Sequence, residues 1–346
     1  MGLKCCHADP KRDPVHKASL KAGWNRHQRI IDRLAPKVQR LSMRWFRGVS
    51  QQITDESIRM AIETGDPAAV VGVFEGLPKP APPLPGERPT VAKGYAEAVA
   101  LEQMIAAALM QDIIEAAMAA GEDAWDSLPD LGVKLVGSFN VDNPYVAPAA
   151  QERVGWLIQE VRNGTNLGLQ EAVAGAIQGA YQQRMGVRGA AKAIRKMVGL
   201  RPDQVNAVNK IAGRLSAQGL SGEKLASRIA RESAKRLRYR ADMIAKTEMA
   251  RAVSSGRYDS YREARDRGLF GGQEAYVEWV AGITDRTCDI CADLHGTTQP
   301  LDTPFQPTDP DLSPSALSVQ GLFPPIHPLC RCDIVLHIGP PTRSNP

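Results

Sequence analysis

The sequence predicts a predominantly helical α+β fold, in which helical N-terminal and central regions precede a small C-terminal α+β module held by a Cys/His cluster. Alanine is abundant, whereas aromatic residues make up only 5% of the 346 residues. This balance favours helices packed through small side chains over a β-sandwich. Four of the six cysteines fall within 45 residues near the C-terminus, with the short spacings typical of metal ligands.

Residues 1–76 are predicted to form a basic helical N-terminal arm. Ile30 and Leu34 begin a series of apolar residues at helical spacing. Pro36 is predicted to break or kink that helix, because proline removes a backbone hydrogen bond. Six prolines lie in residues 77–90, which we predict to be a semi-rigid linker.

The middle region, residues 91–220, is predicted to be helical. We expect a helix from Val91 to Ala120, ended by Gly121, and turns at Asn163-Gly164 and at Gly199–Pro202. Acidic residues interrupt the most apolar stretch of this helix, which argues against a membrane span. The N-terminus also lacks the apolar core of a signal peptide, so we expect no membrane association.

The C-terminal module is predicted over residues 221–340. Ser221 is a suitable N-cap for the clearest helix of the chain, which has Glu223 in its first turn. Alternation typical of strands follows at Tyr276–Val280 and Asp333–Ile338. Between these two strands lie the cysteines and a loop of about 35 residues from Cys291 to His327. Its segment from Pro300 to Pro325 is rich in proline, serine and aspartate.

Charge is segregated along the chain. Residues 1–50 carry a net charge of +9, residues 51–183 carry −11, residues 184–240 carry +12 and residues 241–346 carry −5. A block of +12 suggests contact with a polyanion or an acidic protein surface. The alternative is that the basic blocks pair with the acidic segment of this same chain, and the sequence leaves both interpretations open.

Four basic residues recur three or four positions apart on the predicted C-terminal helix. They form a basic stripe made up of Arg228, Arg231, Lys235 and Arg238. No sequence-reading module accompanies them, so we predict contacts with the phosphates of double-stranded DNA and no base readout.

Two short motifs lie at the ends of the long loop and provide five candidate metal ligands, Cys288, Cys291, His327, Cys330 and Cys332. A closed tetrahedral set of four thiolate or imidazole ligands is typical of structural zinc. On spacing we favour Cys288, Cys291, His327 and Cys330. The alternative is a set of reduced thiols, or a disulfide between the two loop ends; in each case the loop is held at its base.

His295 is the candidate for catalysis, since it lies close in sequence to Cys291 and to several aspartates. A zinc-bound water with His295 as base would make a hydrolase, and a zinc-dependent nuclease or another DNA-binding protein is therefore the alternative function. Five competing ligands nevertheless indicate a closed site, and no nucleotide-binding loop or nucleophile elbow occurs. We predict that the protein is not an enzyme.

An ordered set of short motifs occupies residues 243–261 and 276–336. It consists of Ile244-Ala245-Lys246-Thr247-Glu248 with Ala250 and Ala252; Trp279; Asp285-Arg286-Thr287-Cys288 with Cys291 and Gly296; Pro324-Pro325; His327-Pro328; and Cys330-Arg331-Cys332. Together these motifs resemble the phage Mu F-like minor head protein family. The resemblance covers about the last third of the chain.

This resemblance implies a minor capsid protein in the capsid interior at the portal vertex, present in the host cytoplasm during assembly. The implied roles are prohead assembly and genome packaging or delivery. The implied partners are the portal protein, the major capsid or scaffold protein, and packaged DNA bound non-specifically. We expect Trp24, Trp45 and Phe46 to be exposed anchors for the portal; the alternative is packing within this chain.

Overall fold

The computed structural model describes residues 14–51, 55–64, 93–139, 146–182, 186–282, 287–307 and 323–339. The predicted linker at 77–90 and much of the proline-rich loop lie outside these residues. The fold is mostly helical with a small sheet near the C-terminus, so the predicted class is confirmed. The helices are α1 (Pro14–Gln51), α2 (Asp55–Thr64), α3 (Lys93–Asp126), α4 (Val146–Gln182), α5 (Gly186–Met197), α6 (Pro202–Ala217), α7 (Gly222–Asp266) and α8 (Asp289–Leu294).

Two predicted helix interruptions are wrong, and helix α1 does not break at Pro36. Helix α1 continues through Pro36, α3 continues past Gly121, and α4 continues through Asn163-Gly164. Tertiary packing outweighs the local preference, since a glycine inside a helix costs only about 1 kcal/mol. At Gly121 the packing itself requires glycine, because a Cβ atom there would lie 2.3 Å from the Phe139 ring.

The turn predicted at Gly199–Pro202 is confirmed, with Gly199 at φ +91°. Helix α7 begins at Gly222, directly after the predicted N-cap Ser221, and has Glu223 in its first turn. Leu225 and Ile229 of this helix are buried.

The chain forms two compact units. One consists of Met1–Pro36, Gln111–Ala150 and Met243–Pro346, and the other of Lys37–Met110 and Gln151–Asp242. Each unit therefore assembles segments that are far apart in the sequence.

The first unit contains an antiparallel sheet of order β2-β1-β3, formed by β1 (Ala275–Val280), β2 (Thr298–Pro300) and β3 (Asp333–Ile338). Trp279 pairs with Ile334, and Glu278 pairs with Thr298. Strands β1 and β3 confirm the two predicted strands. The sequence did not predict β2, because three residues are too few for a period of two to be recognised.

The core of the first unit lies between this sheet and helices α3 and α7. Trp125, Tyr258 and Trp279 are among its fully buried side chains. Helices α3 and α7 approach closely, since a Cβ atom on Gly256 would lie 1.8 Å from the Ala117 carbonyl oxygen. Only glycine permits this separation.

The core of the second unit lies between α5, α6 and the N-terminal part of α7, with Leu200, Val208 and Leu225 fully buried. Arg240 donates a hydrogen bond to the Gly199 carbonyl, and its guanidinium lies 5.5 Å from the centre of the Phe46 ring. Burial, together with the nearby charge of Arg201, lowers the pKa of Arg240 to about 10.

The expectation of exposed aromatic anchors is wrong for two of the three residues. Trp45 is 7% exposed and Phe46 is 2% exposed, and their rings stack on each other. The amphipathic period of α1 directs these rings into the core. Trp24 is half-buried.

One segment in the described part of the chain, Gln103–Leu131, is long and apolar enough to cross a membrane by length and composition alone, with a mean hydropathy of 1.4. The core helix of a water-soluble protein passes the same test. Asp112 of this segment is buried, and Glu115 forms an ion pair with Arg33 at 3.5 Å.

Candidate metal centre

The structure brings the two ends of the long loop together as the sequence predicted. Cys291 Sγ lies 3.2 Å from His327 Nε2 and 3.7 Å from Cys330 Sγ. Cys288 Sγ lies 3.1 Å from the same His327 nitrogen. The ligand atoms of Cys291, Cys330 and Cys332 also lie within 4.8 Å of one another. We call these five residues the Cys/His cluster.

The first loop end is shaped by the short helix α8. Cys288 is its N-cap, with φ −77° and ψ 162°, and its Sγ accepts a hydrogen bond from the Cys291 backbone N–H at 3.4 Å. The Cys291 thiol also donates to Cys288, and this is the main reason why the pKa of Cys288 falls to about 4; partial burial opposes the effect. Cys288 is therefore suited to bind as a thiolate.

The second loop end is held by helix α7. Arg251 donates to the Pro325 carbonyl at 2.9 Å, and the Leu329 backbone N–H donates to Thr247 Oγ1 at 3.0 Å. Leu329 has a left-handed φ of 60°, and the Cys330 N–H closes the turn on the His327 carbonyl at 3.2 Å. The two ends are thus fixed independently, one by its own helix and one by α7.

The His327 ring is oriented for metal binding. Nδ1 lies 2.9 Å from the Pro328 carbonyl oxygen, so Nδ1–H can donate there and Nε2 faces the sulfur atoms. This backbone contact is the usual support of a metal-ligating histidine. Hydrogen bonds with Cys288 and Cys330 raise the pKa of His327 to about 11. Without metal the ring therefore holds a proton, which a metal ion would displace.

The donor set fits a metal ion that prefers sulfur and nitrogen. A tetrahedral zinc site with bonds near 2.3 Å places neighbouring sulfur atoms about 3.8 Å apart, and Cys291 Sγ and Cys330 Sγ are separated by 3.7 Å. All four cysteines of the cluster are free thiols. Cys291 belongs to both groups of three potential ligands, Cys288–Cys291–His327 and Cys291–Cys330–Cys332, and is the common element of the site.

Burial indicates what such a site does. Cys291 is 2% exposed, Cys330 is 3% and Cys332 is 9%, and all three lie in the apolar core of the first unit. Cys288 and His327 are half-buried. Burial of most of the thiols is typical of structural sites, which hold four protein ligands.

His295 is not brought into this cluster. Its Nδ1 accepts a hydrogen bond from the Ala281 backbone N–H at 3.2 Å, and it follows the last residue of α8 as the C-cap. Neither group of potential ligands in the described part of the chain includes it. His295 is therefore not among the potential metal ligands of the described residues.

Next to the cluster is a network of polar and charged side chains, buried at His27, Arg257 and Asp333, that no sequence pattern indicated. Asp333 Oδ2 lies 2.8 Å from His27 Nδ1 and 3.1 Å from Arg257 Nη1. Arg257 also contacts Asp123 at 3.4 Å, and Asp123 contacts Arg26 at 2.7 Å. No spacing rule links residues this far apart, although an aspartate at an inward position of a strand requires a partner.

The charges of this network keep Asp333 ionised. Burial alone would raise the pKa of Asp333, but Arg257 and His27 outweigh burial and lower it to about 2. Arg257 is also buried, and it covers the outer edge of β3 by donating to the Ile334 carbonyl at 3.1 Å. The network therefore stabilises β3, the strand that directly follows Cys332.

The basic stripe lies on the surface. Arg228, Arg231, Lys235 and Arg238 are all exposed on α7. None of them forms an ion pair with an acidic residue in the described parts of the chain, and Arg238 contacts only the Ala234 carbonyl of its own helix at 3.4 Å.

Two arginines of helix α1 form ion pairs with acidic residues, unlike the residues of the basic stripe. Arg26 pairs with Asp123 at 2.7 Å, and Arg33 pairs with Glu115 at 3.5 Å. Internal pairing with the acidic segment, one of the two interpretations left open, therefore holds for these two arginines.

The fold and the cluster define a mostly helical protein in which a small sheet and a long loop are joined by a potential metal crosslink. Residues 209–335 match the family model described as Phage Mu protein F like protein, and this family covers phage minor head proteins. The resemblance inferred from the motifs is confirmed, and the chain contains a phage Mu F-like domain. No curated protein and no solved structure matches the chain.

Proposed function

We propose that this protein is a minor head protein of a phage, located inside the capsid at the portal vertex. Its proposed roles are prohead assembly and genome packaging or delivery, with the portal protein and the major capsid or scaffold protein as partners. The observation that carries this proposal is the phage Mu F-like domain at residues 209–335, which includes α7, strands β1 and β2, the start of β3 and the Cys/His cluster.

The cluster is proposed to hold one structural Zn²⁺. Cys288, Cys291, His327 and Cys330 are the favoured ligands, because His327 faces both thiols of the first loop end and Cys330 lies in contact with Cys291. Cys332 lies near Cys291 and Cys330 and is the fifth donor. The ion would supply a crosslink that holds the long loop closed, at a site with little room for substrate.

The basic stripe is proposed to contact packaged DNA without sequence preference. Helix geometry places Arg228 and Arg238 about 15 Å apart along the axis, a distance that spans several phosphates of a duplex. The absence of acidic partners for the stripe in the described residues leaves its charge available to a polyanion.

The location is tested by cryo-electron microscopy of purified virions, compared with particles from a phage that lacks this gene. We expect density at the portal vertex in the first map only. Co-expression of the full-length chain with the portal protein should give a complex that survives size-exclusion chromatography. A protein found outside the head, or absent from virions, would contradict the proposal.

The zinc-dependent nuclease alternative needs a metal with an open position and a base beside it. The buried thiols and the contact of His295 with Ala281 do not favour this arrangement. Incubation of the purified protein with supercoiled plasmid and Mg²⁺ or Zn²⁺ tests the alternative. We expect no nicking above that of a Cys291→Ser control, and metal-dependent nicking would favour the nuclease.

A further inference from the structure

We propose that Trp24 and His27 of helix α1 are positioning residues of the metal centre. They would act by fixing the segment Cys330–Asp333, which carries two of the five donors. This inference rests on the proposed metal site. It adds to that site two residues that are far from the matched domain in sequence, since the family match begins only at residue 209.

The two contacts lie on either side of Cys332. Trp24 Nε1–H donates to the Arg331 carbonyl oxygen at 2.8 Å, and His27 Nδ1 lies 2.8 Å from Asp333 Oδ2. Residues 24 and 27 are one helical turn apart and therefore share a face of α1. That face thus holds the backbone immediately before Cys332 and the side chain immediately after it.

The second contact is resistant to rearrangement because of its surroundings. The side chains of His27 and Asp333 are each 4% exposed. Arg257 holds the same carboxylate oxygen at 3.1 Å, and the Ile334 backbone N–H donates to Oδ1 at 2.8 Å. Removing one partner of a buried charge is costly. Loss of His27 leaves Arg257 as the charged partner of Asp333, so the carboxylate is expected to shift towards Arg257 and to move the start of β3.

A displacement of the segment Cys330–Asp333 would move the donor atoms of Cys330 and Cys332, because both cysteines belong to it. Cys330 precedes Arg331, and its Sγ lies 3.7 Å from Cys291 Sγ. Outer-shell groups hydrogen-bond to the ligands of a metal, and their removal typically lowers metal affinity 10- to 100-fold. Trp24 and His27 lie one step further out, because they hold Arg331 and Asp333, the residues on either side of Cys332.

The test measures Zn²⁺ affinity of the full-length reduced protein by competition with a chromophoric chelator. Three variants are compared: Trp24→Phe, which removes the N–H donor and keeps an aromatic ring; His27→Gln; and Arg29→Gln as the control. Arg29 is exposed on the same helix. We expect affinity to fall 10- to 100-fold in the first two variants and to remain unchanged in the control.

Cobalt substitution separates positioning from a general loss of stability. The Co²⁺ absorption bands report the geometry at the metal, so a shift in Trp24→Phe with unchanged helical content indicates displaced ligands. Trp24→Phe keeps an aromatic ring at this position, so it provides the test if His27→Gln does not fold. Unchanged affinity and spectra in Trp24→Phe would overturn the inference and leave the metal site intact. A wild-type protein that binds neither metal would instead overturn the metal site itself.

Discussion

Cys291 Sγ lies 3.7 Å from Cys330 Sγ, although 39 positions separate the two residues. This contact joins the helix α8 end of the long loop to the end held by α7. Cys291 is also the only residue shared by both groups of potential ligands found in the described residues. It is therefore the position at which the metal hypothesis is most sensitive to mutation.

Cys291→Ser is predicted to abolish metal binding and to unfold the first unit, which contains the sheet. The hydroxyl is a poor ligand for zinc, and structural zinc sites contribute on the order of 10 kcal/mol to folding. Elemental analysis of protein dialysed against a weak chelator should give about one zinc per wild-type chain and none in the variant. Wild-type protein that folds without metal after treatment with a strong chelator would contradict this prediction.

Cys332→Ser is the matched control for the ligand set. If the ligands are Cys288, Cys291, His327 and Cys330, this variant should retain one metal ion and a nearly unchanged Co²⁺ spectrum. Loss of metal in Cys332→Ser but not in Cys288→Ser would show that Cys332 is a ligand and that the favoured set is wrong.

The basic stripe is predicted to bind double-stranded DNA weakly and with strong salt dependence. Four phosphate contacts correspond to a slope of roughly −3 to −4 in a plot of log affinity against log salt. Changing Arg228, Arg231, Lys235 and Arg238 to glutamine should remove most of this slope. Changing the three arginines to lysine should preserve it, because lysine keeps the charge. A flat salt response of the wild type would contradict DNA binding by the stripe.

Asp259 is predicted to make the protein less stable as the pH rises from about 4 to 6. Burial raises its pKa to about 6 from its ordinary value of 3.8, with Arg262 and Ser255 opposing the effect. The folded state thus holds this proton more tightly than the unfolded state, and the free energy of unfolding falls as the proton leaves. The difference corresponds to at most about 3 kcal/mol.

Asp259→Asn removes this titration. The variant should be more stable than wild type at pH 7, and the gain should disappear below pH 4. Urea unfolding at both pH values measures the effect. An equal gain at both pH values would show that ionisation of Asp259 is not its cause.

Gly256→Ala is predicted to destabilise the first unit by several kcal/mol, since the added Cβ would lie 1.8 Å from the Ala117 carbonyl oxygen. Gly213→Ala is the matched control in α6, because no atom beyond its chain neighbours and its own helix backbone would lie within 4 Å of the added Cβ. The control should stabilise the protein by up to about 1 kcal/mol. Thermal unfolding of both variants measures their stability. It distinguishes the effect of close packing at Gly256 from the effect of helix propensity at Gly213.

Local patterns in the sequence were sufficient for the helical class, strands β1 and β3, and the five members of the Cys/His cluster. Cys-x-x-Cys and His-x-x-Cys each specify one turn, and strand alternation depends on neighbouring residues alone. The predicted ends at Gly121 and at Asn163-Gly164 were wrong. At those positions packing between distant segments outweighs local propensity, which is small for each residue.

By itself the sequence determined which residues are available as metal donors and which cations form the stripe. Only the tertiary structure decided that His295 lies outside the cluster, that Trp45 and Phe46 are buried, and that α1 reaches the Cys330–Asp333 segment. The physical reason is that contacts such as His27 with Asp333 join residues from opposite ends of the chain. Their formation depends on how helices pack, and packing is not encoded in any short stretch of sequence.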